Sequence, residues 1–277
     1  MNEINQLVGE HPCFHKAAAH WFGRLHLPVA PDCNIKCHYC TRLYDCANEN
    51  RPGVTSRLMS PKEALQHVRR SLAKEPRIRV IGIAGPGDPL ANRATLVTLR
   101  LVHAHFPDLI KCLSTNGLLL PENLPALKSA GVRAVTVTVN AVSPAVGARI
   151  YGHVFYRGRV YRGAAGAELL WRAQYAGIRL AAAMGLAVKV NSVLIPGVND
   201  GHLLQVARSV RAAGAHLMNV IPLIPRGAFA ALQPPPPGQV ARIRQKLAPV
   251  IAQMTHCRRC RADAAGMLLE GGTDAAF

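Results

Sequence analysis

From about residue 26 onward, short β-branched and aliphatic runs alternate with longer stretches whose apolar positions recur at helical spacing. That alternation is the pattern of βα units feeding a parallel sheet. Six runs read as strands, at 26–30, 77–84, 109–113, 134–139, 186–194 and 217–221. Helical patterns lie between and after them at 60–72, 92–106, 122–130, 163–178, 201–213 and 238–251. Ser60, Pro61 and Glu63 supply an N-cap, a proline at the first helical position and a capping-box carboxylate. Gly131, Gly177 and Gly214 are placed to end helices, and the run Pro234 to Pro237 predicts an extended connector. Residues 143–161 lengthen the fourth βα connection.

The fold class expected is therefore α/β: a partial or nearly closed βα barrel of parallel strands over residues 26–251. Two extensions, 1–25 and 252–277, flank it, and each carries cysteine. In such barrels the C-terminal strand ends form the active face. The polar and glycine-rich strings fall there: 31–40 after the first strand, 84–89 after the second, 114–117 after the third, Asn140 after the fourth, and Asn191 within the fifth.

Composition narrows the picture. With 277 residues, 49% of them apolar, the chain can bury one barrel-sized core. A formal net charge of +18 invites a nucleic-acid reading, but the arginines are scattered, aromatics are 5%, and no basic tail or basic-aromatic stripe occurs. Nucleic acid is not the expected partner. Glu3 and Glu10 stand near the N-terminus without an apolar signal core, and no apolar run reaches the 18 or so residues of a membrane span. A cytoplasmic chain with no membrane association is expected.

Eight cysteines in such a compartment read as metal ligands or redox groups; they stand at 13, 33, 37, 40, 46, 112, 257 and 260. Cys33, Cys37 and Cys40 are spaced x3 then x2 in one short loop. Three thiolates so close can wrap a four-iron cluster and leave one iron open, which implies chemistry rather than storage. A closed zinc site pairs two knuckles and does not divide this way, although Cys257 and Cys260, among Arg258, Arg259 and Arg261, could form one knuckle. Disulfides need an oxidising compartment. Cys112, in an apolar run, has the bland reading of a small core residue, and Gly85-Pro86-Gly87 that of a turn.

The cysteine loop, with Tyr39 before its last cysteine, resembles the signature of the radical S-adenosylmethionine (SAM) enzymes. Within them the chain is similar to the family that builds the precursor of the nitrogenase cofactor. The matching strings are 11–13, the loop running on through Cys46 and Glu49 to Val54, and 84–89, 114–117, 139–142, 189–200, 218–225 and 256–263. The resemblance implies three four-iron clusters, one that cleaves SAM and two that are fused around a carbide taken from the SAM methyl. Cys33, Cys37 and Cys40 would be the catalytic ligands. Tyr39, Gly85, Pro86, Gly87, Asp88, Asn116, Thr138, Asn140 and Asn191 are the candidate SAM contacts, Asp88 replacing a more usual glutamate. Cys257, Cys260 and Cys13 would hold one auxiliary cluster. Cys46 and Cys112 are left for the other, with His26, then His11, as the imidazole that completes it and Glu49 as a weak ligand.

Implied partners are iron–sulfur cluster donors, a one-electron reductant such as ferredoxin, and a cofactor carrier or nitrogenase-like scaffold complex. The chain ends at Phe277, soon after Cys260, so a fused carrier domain is expected to be absent. Two rivals stand beside this reading: a radical SAM enzyme with auxiliary clusters acting on a peptide or small molecule, and a non-enzymatic iron–sulfur scaffold.

Overall fold

The computed structural model describes residues 8–47, 56–258 and 260–268. Six parallel strands make its frame: β1 Gly23–His26, β3 Ile78–Ile83, β4 Ile110–Thr115, β5 Val132–Thr138, β8 Ala187–Leu194 and β9 Leu217–Pro222. Helices connect most of them, as the alternation predicts. The sheet runs β10-β9-β8-β5-β4-β3-β1-β11, where β10 is Ala252–Gln253 and β11 is Ala265–Met267. Only β11 is antiparallel, against β1. Both edge strands come from beyond residue 251, and β1 begins before residue 26. The sheet therefore draws on sequence assigned above to both extensions.

One cavity is lined from all six parallel strands: His26, Gly82, Cys112, Thr136, Lys189 and Asn219 each contribute. A single sheet can do this only by curving round the cavity, so the fold is the partial βα barrel that the pattern predicts. Along β8 the alternation is plain: Val188, Val190 and Leu194 join the core under the helices, whereas Lys189 and Asn191 face the cavity. The outer core is aliphatic, and the inner wall sets polar side chains among apolar ones such as Ile83, Leu113 and Met254.

Local signals hold where their chemistry is specific. Ser60 accepts from Glu63 N at 3.3 Å while Glu63 Oε2 accepts from Ser60 N at 2.8 Å, so the helix Pro61–Lys74 starts with the expected capping box. Three expectations differ. The first strand is Gly23–His26 rather than 26–30, because Pro28 has no N–H to give a ladder; beyond it only the bridge of Ala30 to Pro86 continues the pairing. Gly177 lies inside the helix Gly163–Ala183, where a Cβ would stand 3.0 Å from Leu120; it serves close helix packing, not termination. The last helix is shorter, Gln239–Leu247.

The connection at 143–161 carries a structure of its own. β6 Tyr151–Tyr156 and β7 Arg159–Tyr161 form a hairpin, and β6 pairs antiparallel with β2, Ile35–Cys37, inside the cysteine loop. Its turn residues Arg157 and Gly158 have φ of 49° and 76°, the left-handed pair of a tight two-residue hairpin. The cysteine loop is thus held as a strand. No described helix is long and apolar enough to cross a membrane.

Candidate active site

The first cavity gathers Cys33, Cys37 and Cys40 with Ile35, Tyr39, Arg42, Cys46, Gly87, Asp88, Ser114, Thr115, Asn116 and Thr138. The string 84–89 works mainly as a clamp on the cysteine loop. Gly87 N donates to Ala30 O at 2.5 Å, Asp88 N to Asp32 O at 2.7 Å, and Cys46 N to Pro86 O at 2.9 Å. A Cβ on Gly87 would stand 2.2 Å from Asp32 O, so only glycine allows this backbone-to-backbone approach.

Asp88 is buried, and its carboxylate accepts from Asn116 N at 2.6 Å, Leu90 N at 2.9 Å and Thr115 Oγ1 at 2.9 Å. Burial raises its pKa, and those hydrogen bonds oppose the rise. Asn116 Nδ2 donates to Asn34 Oδ1 at 2.6 Å and lies 3.8 Å from Cys33 Sγ. Lys36 Nζ donates to Cys40 O at 2.5 Å. Gln174 Nε2 ties the ends of β4 and β5 through Asn116 O at 2.8 Å and Thr138 O at 2.9 Å. The loop is preorganised from every side.

Burial pushes the Cys33 thiol up to about 11, with Asp88 adding to the rise, and pushes Cys37 higher still. Such thiols stay protonated at neutral pH until a metal displaces the proton. This donor set fits a thiolate-bound iron cluster. Among the described residues no three His, Cys, Asp or Glu side chains converge on a point the size of one ion.

Four of the expected SAM contacts do not line this cavity. Asn140 is fully buried, with Nδ2 donating to Tyr39 Oη at 2.7 Å and Oδ1 accepting from Val193 N at 2.8 Å, so its amide is spent on orienting the loop tyrosine. Gly85 and Pro86 do not line it either; Pro86 O belongs to the clamp, accepting from Cys46 N. Asn191 lines the second cavity instead.

That second cavity brings together Cys13, Cys112, Cys257 and Cys260 with His11, His26, Lys189 and Asn191. Residues from both ends of the chain meet here. Arg24, fully buried, donates from Nη2 to Cys260 Sγ at 3.2 Å. The Cys13 thiol is pushed up to about 11 by burial. Cys46 is not among these residues: it lines the first cavity, whereas Cys112 stands two residues before Ser114 on β4, about 7 Å deeper at strand rise. Ser114 lines both cavities.

Hydrogen bonding separates the two candidate imidazoles. His26 Nδ1 lies 3.0 Å from Arg261 O, which can only accept, so the proton sits on Nδ1 and Nε2 is bare. A Cβ on Gly82 would meet His26 Nε2 at 3.4 Å and Cys112 Sγ at 3.2 Å, so these two donors are neighbours. Burial, followed by the Arg24 charge, lowers the His26 pKa to about 4. His11 has the opposite tautomer, because Cys13 N donates to its Nδ1 at 3.2 Å. Glu49 lies outside the described residues. Lys189 and Arg24 are not among the site residues expected from the sequence; the signal for Lys189 was a lysine between Val188 and Val190 inside an expected strand.

The family model of the radical SAM superfamily matches residues 27–210. The chain is 44% identical over 270 residues to the FeMo cofactor biosynthesis protein NifB of Chlorobaculum tepidum, covering 96% of this chain and 64% of that one. It is 47% identical to NifB of Klebsiella pneumoniae over 94% of this chain and 57% of that one. For NifB of Azotobacter vinelandii the values are 45%, 98% and 55%. The chain thus spans 55–64% of the length of these curated relatives. Among solved structures, Streptococcus suis SuiB bound to S-adenosylmethionine shares the fold with a TM-score of 0.61 at 12% identity, over 86% of this chain and 52% of that chain.

Proposed function

The chain belongs to the radical SAM superfamily, and from that membership we propose that it acts on an iron–sulfur substrate. It fuses two four-iron clusters and inserts a SAM-derived carbide, giving the eight-iron precursor of the nitrogenase cofactor. One observation carries this reading: four cysteines and an imidazole with a bare Nε2 line a second cavity, which meets the SAM-cleaving cavity at Ser114. The likeness to NifB along 94–98% of the chain supports it.

Cys33, Cys37 and Cys40 hold the resident cluster, and Gly87, Asp88, Asn116 and Thr138 face SAM. Bound there, cluster and SAM would supply one-electron cleavage of a carbon–sulfur bond. The chain's own part is positioning. Tyr39 and Ile35 wall the cavity against water, the Gly87 clamp fixes the loop, and Asp88 locks Asn116 in place. Cys13, Cys257 and Cys260 hold one substrate cluster. Cys112 and His26 hold the other, with Cys46 completing it from the loop side. With SAM and that cluster held there, the chemistry supplied would be methyl transfer to a sulfide of the cluster at Cys13, Cys257 and Cys260, followed by removal of hydrogen from that methyl.

Iron–sulfur donors load the cavity, a one-electron reductant such as ferredoxin feeds the loop, and a carrier or nitrogenase-like scaffold takes the product. We assign the reaction to the cytoplasm, where thiols stay reduced.

Methyl-labelled SAM, supplied to the cluster-loaded chain under reducing anaerobic conditions, tests this. Label should remain with the iron–sulfur fraction, and should be lost from it in Cys13→Ala, Cys257→Ala and Cys260→Ala. Cleavage of SAM with no label on any cluster would transfer the assignment to an organic or peptide substrate. Absence of 5′-deoxyadenosine would reduce the chain to a scaffold.

A further inference from the structure

The second cavity contains a positive charge that no carboxylate answers. Lys189 lies within β8, buried at 7% exposure, and its side chain stands on the cavity wall. Among the described residues its ammonium meets Met254 Sδ at 4.0 Å and the Phe14 ring centroid at 5.4 Å, and no described oxygen accepts from it. The described lining contains neither Asp nor Glu. An ammonium withdrawn from water without a counter-charge is costly, and buried lysines are found paired or facing an anion.

Arg24 differs. Its Nη1 donates to Gly266 O and its Nη2 reaches Cys260 Sγ, so it is bound into the wall. Two further donors are left over at the cavity. With Nδ1 accepting from Cys13 N, neutral His11 carries its proton on Nε2, which is buried without a partner, and so is Ser114 Oγ. The wall thus offers N–H and O–H groups and, among the described residues, no carboxylate.

We propose that Lys189, assisted by His11 Nε2–H, is a positioning group for an anionic iron–sulfur substrate, donating to its bridging sulfides and offsetting the charge of the surrounding thiolates. This rests on the iron–sulfur reading of the cavity. A four-iron core bound by thiolates is a net anion, and both its retention and its reduction potential respond to nearby charge and to hydrogen bonds on sulfur. Neutral packing against Phe14 would explain the aliphatic stem of Lys189 but not the choice of an ammonium over methionine.

The test uses the full chain, reconstituted anaerobically with iron and sulfide, as wild type, Lys189→Met and Lys189→Arg. Iron release to a ferrous chelator and the midpoint potentials of the clusters are followed by electron paramagnetic resonance. The loop cluster serves as internal reference. In Lys189→Met the second-cavity irons should be stripped at about tenfold lower chelator, the scale of one charge-assisted hydrogen bond, and their potential should fall. Lys189→Arg should restore both. If Lys189→Met does not fold, Lys189→Gln, which keeps polarity and drops charge, carries the same expectation.

Release and potential equal to wild type in the neutral variants overturn the proposal, as does equal loss in Lys189→Met and Lys189→Arg, which would mark a packing role. Wild type that binds iron at the loop alone overturns the cargo reading itself, a result distinct from either.

Discussion

The two cysteine-lined cavities have one lining residue in common, Ser114, and are built on opposite plans. The first takes its three cysteines from a single loop, fixes them by backbone bonds to the Gly87 turn, and includes the carboxylate of Asp88. The second takes four cysteines from both chain ends and from β4, and sets Lys189, His11 and His26 among them with no described carboxylate. A local motif supplies all three thiols of the first site, and the Gly87 turn and β6 hold that loop in shape. A site assembled from distant segments exists only in the finished barrel, and its cationic wall suits a guest that arrives already anionic.

The largest expected effect breaks the first site. Cys33→Ala, Cys37→Ala or Cys40→Ala should bring SAM cleavage to background, a loss on the order of 10⁶-fold, the low end of enzymatic acceleration. Iron in the second cavity should persist, as read by iron content.

Next comes its mirror image. Cys257→Ala or Cys13→Ala should remove the iron of one of the two second-cavity clusters and abolish methyl transfer while SAM cleavage changes by less than about tenfold, because the sites are separate. A parallel collapse of both activities would show that the cavities are one functional unit.

Gly87→Ala sharpens the contrast between the loop and its clamp. The added Cβ meets backbone atoms of Asp32 and Pro31 that cannot yield without moving Cys33. A loss of about 1–3 kcal/mol in chemical denaturation and a changed loop-cluster resonance are expected. The second-cavity signal should be untouched.

The smallest effect is on pH. His26 has a folded pKa of about 4 against an ordinary 6.5, so the unfolded chain binds more protons between these values. Its contribution to stability is fully present above pH 6.5 and is lost as pH falls toward 4. His26→Gln should flatten this acid limb in the metal-free chain, measured by thermal unfolding from pH 7 to 4. At the alkaline end, Cys33 and Cys13 have raised folded pKa values near 11, so both cavities lose stability as pH rises above 9.

How far the chain could be read follows the same division. Five of the six parallel strands, the capping box at Ser60 and the cysteine loop are local signals that appear where the residues put them, while the first strand lies earlier, at Gly23–His26. The hairpin at 151–161 was not legible, since 143–161 reads only as a lengthened connection, and its partner, β2, lies more than a hundred residues away inside what reads as a loop. Asn140, just after a strand, and Asn191, within one, look in sequence like amides of the same mouth. Only the register decides that one braces Tyr39 and the other faces the second cavity. The grouping of Cys13 with Cys257 and Cys260 came from counting cysteines against ligands, whereas Cys112, expected beside Cys46, joins them only in the fold. The separation of Cys46 from Cys112 could not come that way, because it depends on depth along β4.

The central claim is that the second cavity is an iron–sulfur site, and the most direct measurement of it is iron and acid-labile sulfide per chain after anaerobic reconstitution. About twelve irons are expected, from three four-iron sites, falling to about eight when Cys33, Cys37 and Cys40 are replaced together. A wild-type value near four, lost entirely in that triple variant, would contradict the account.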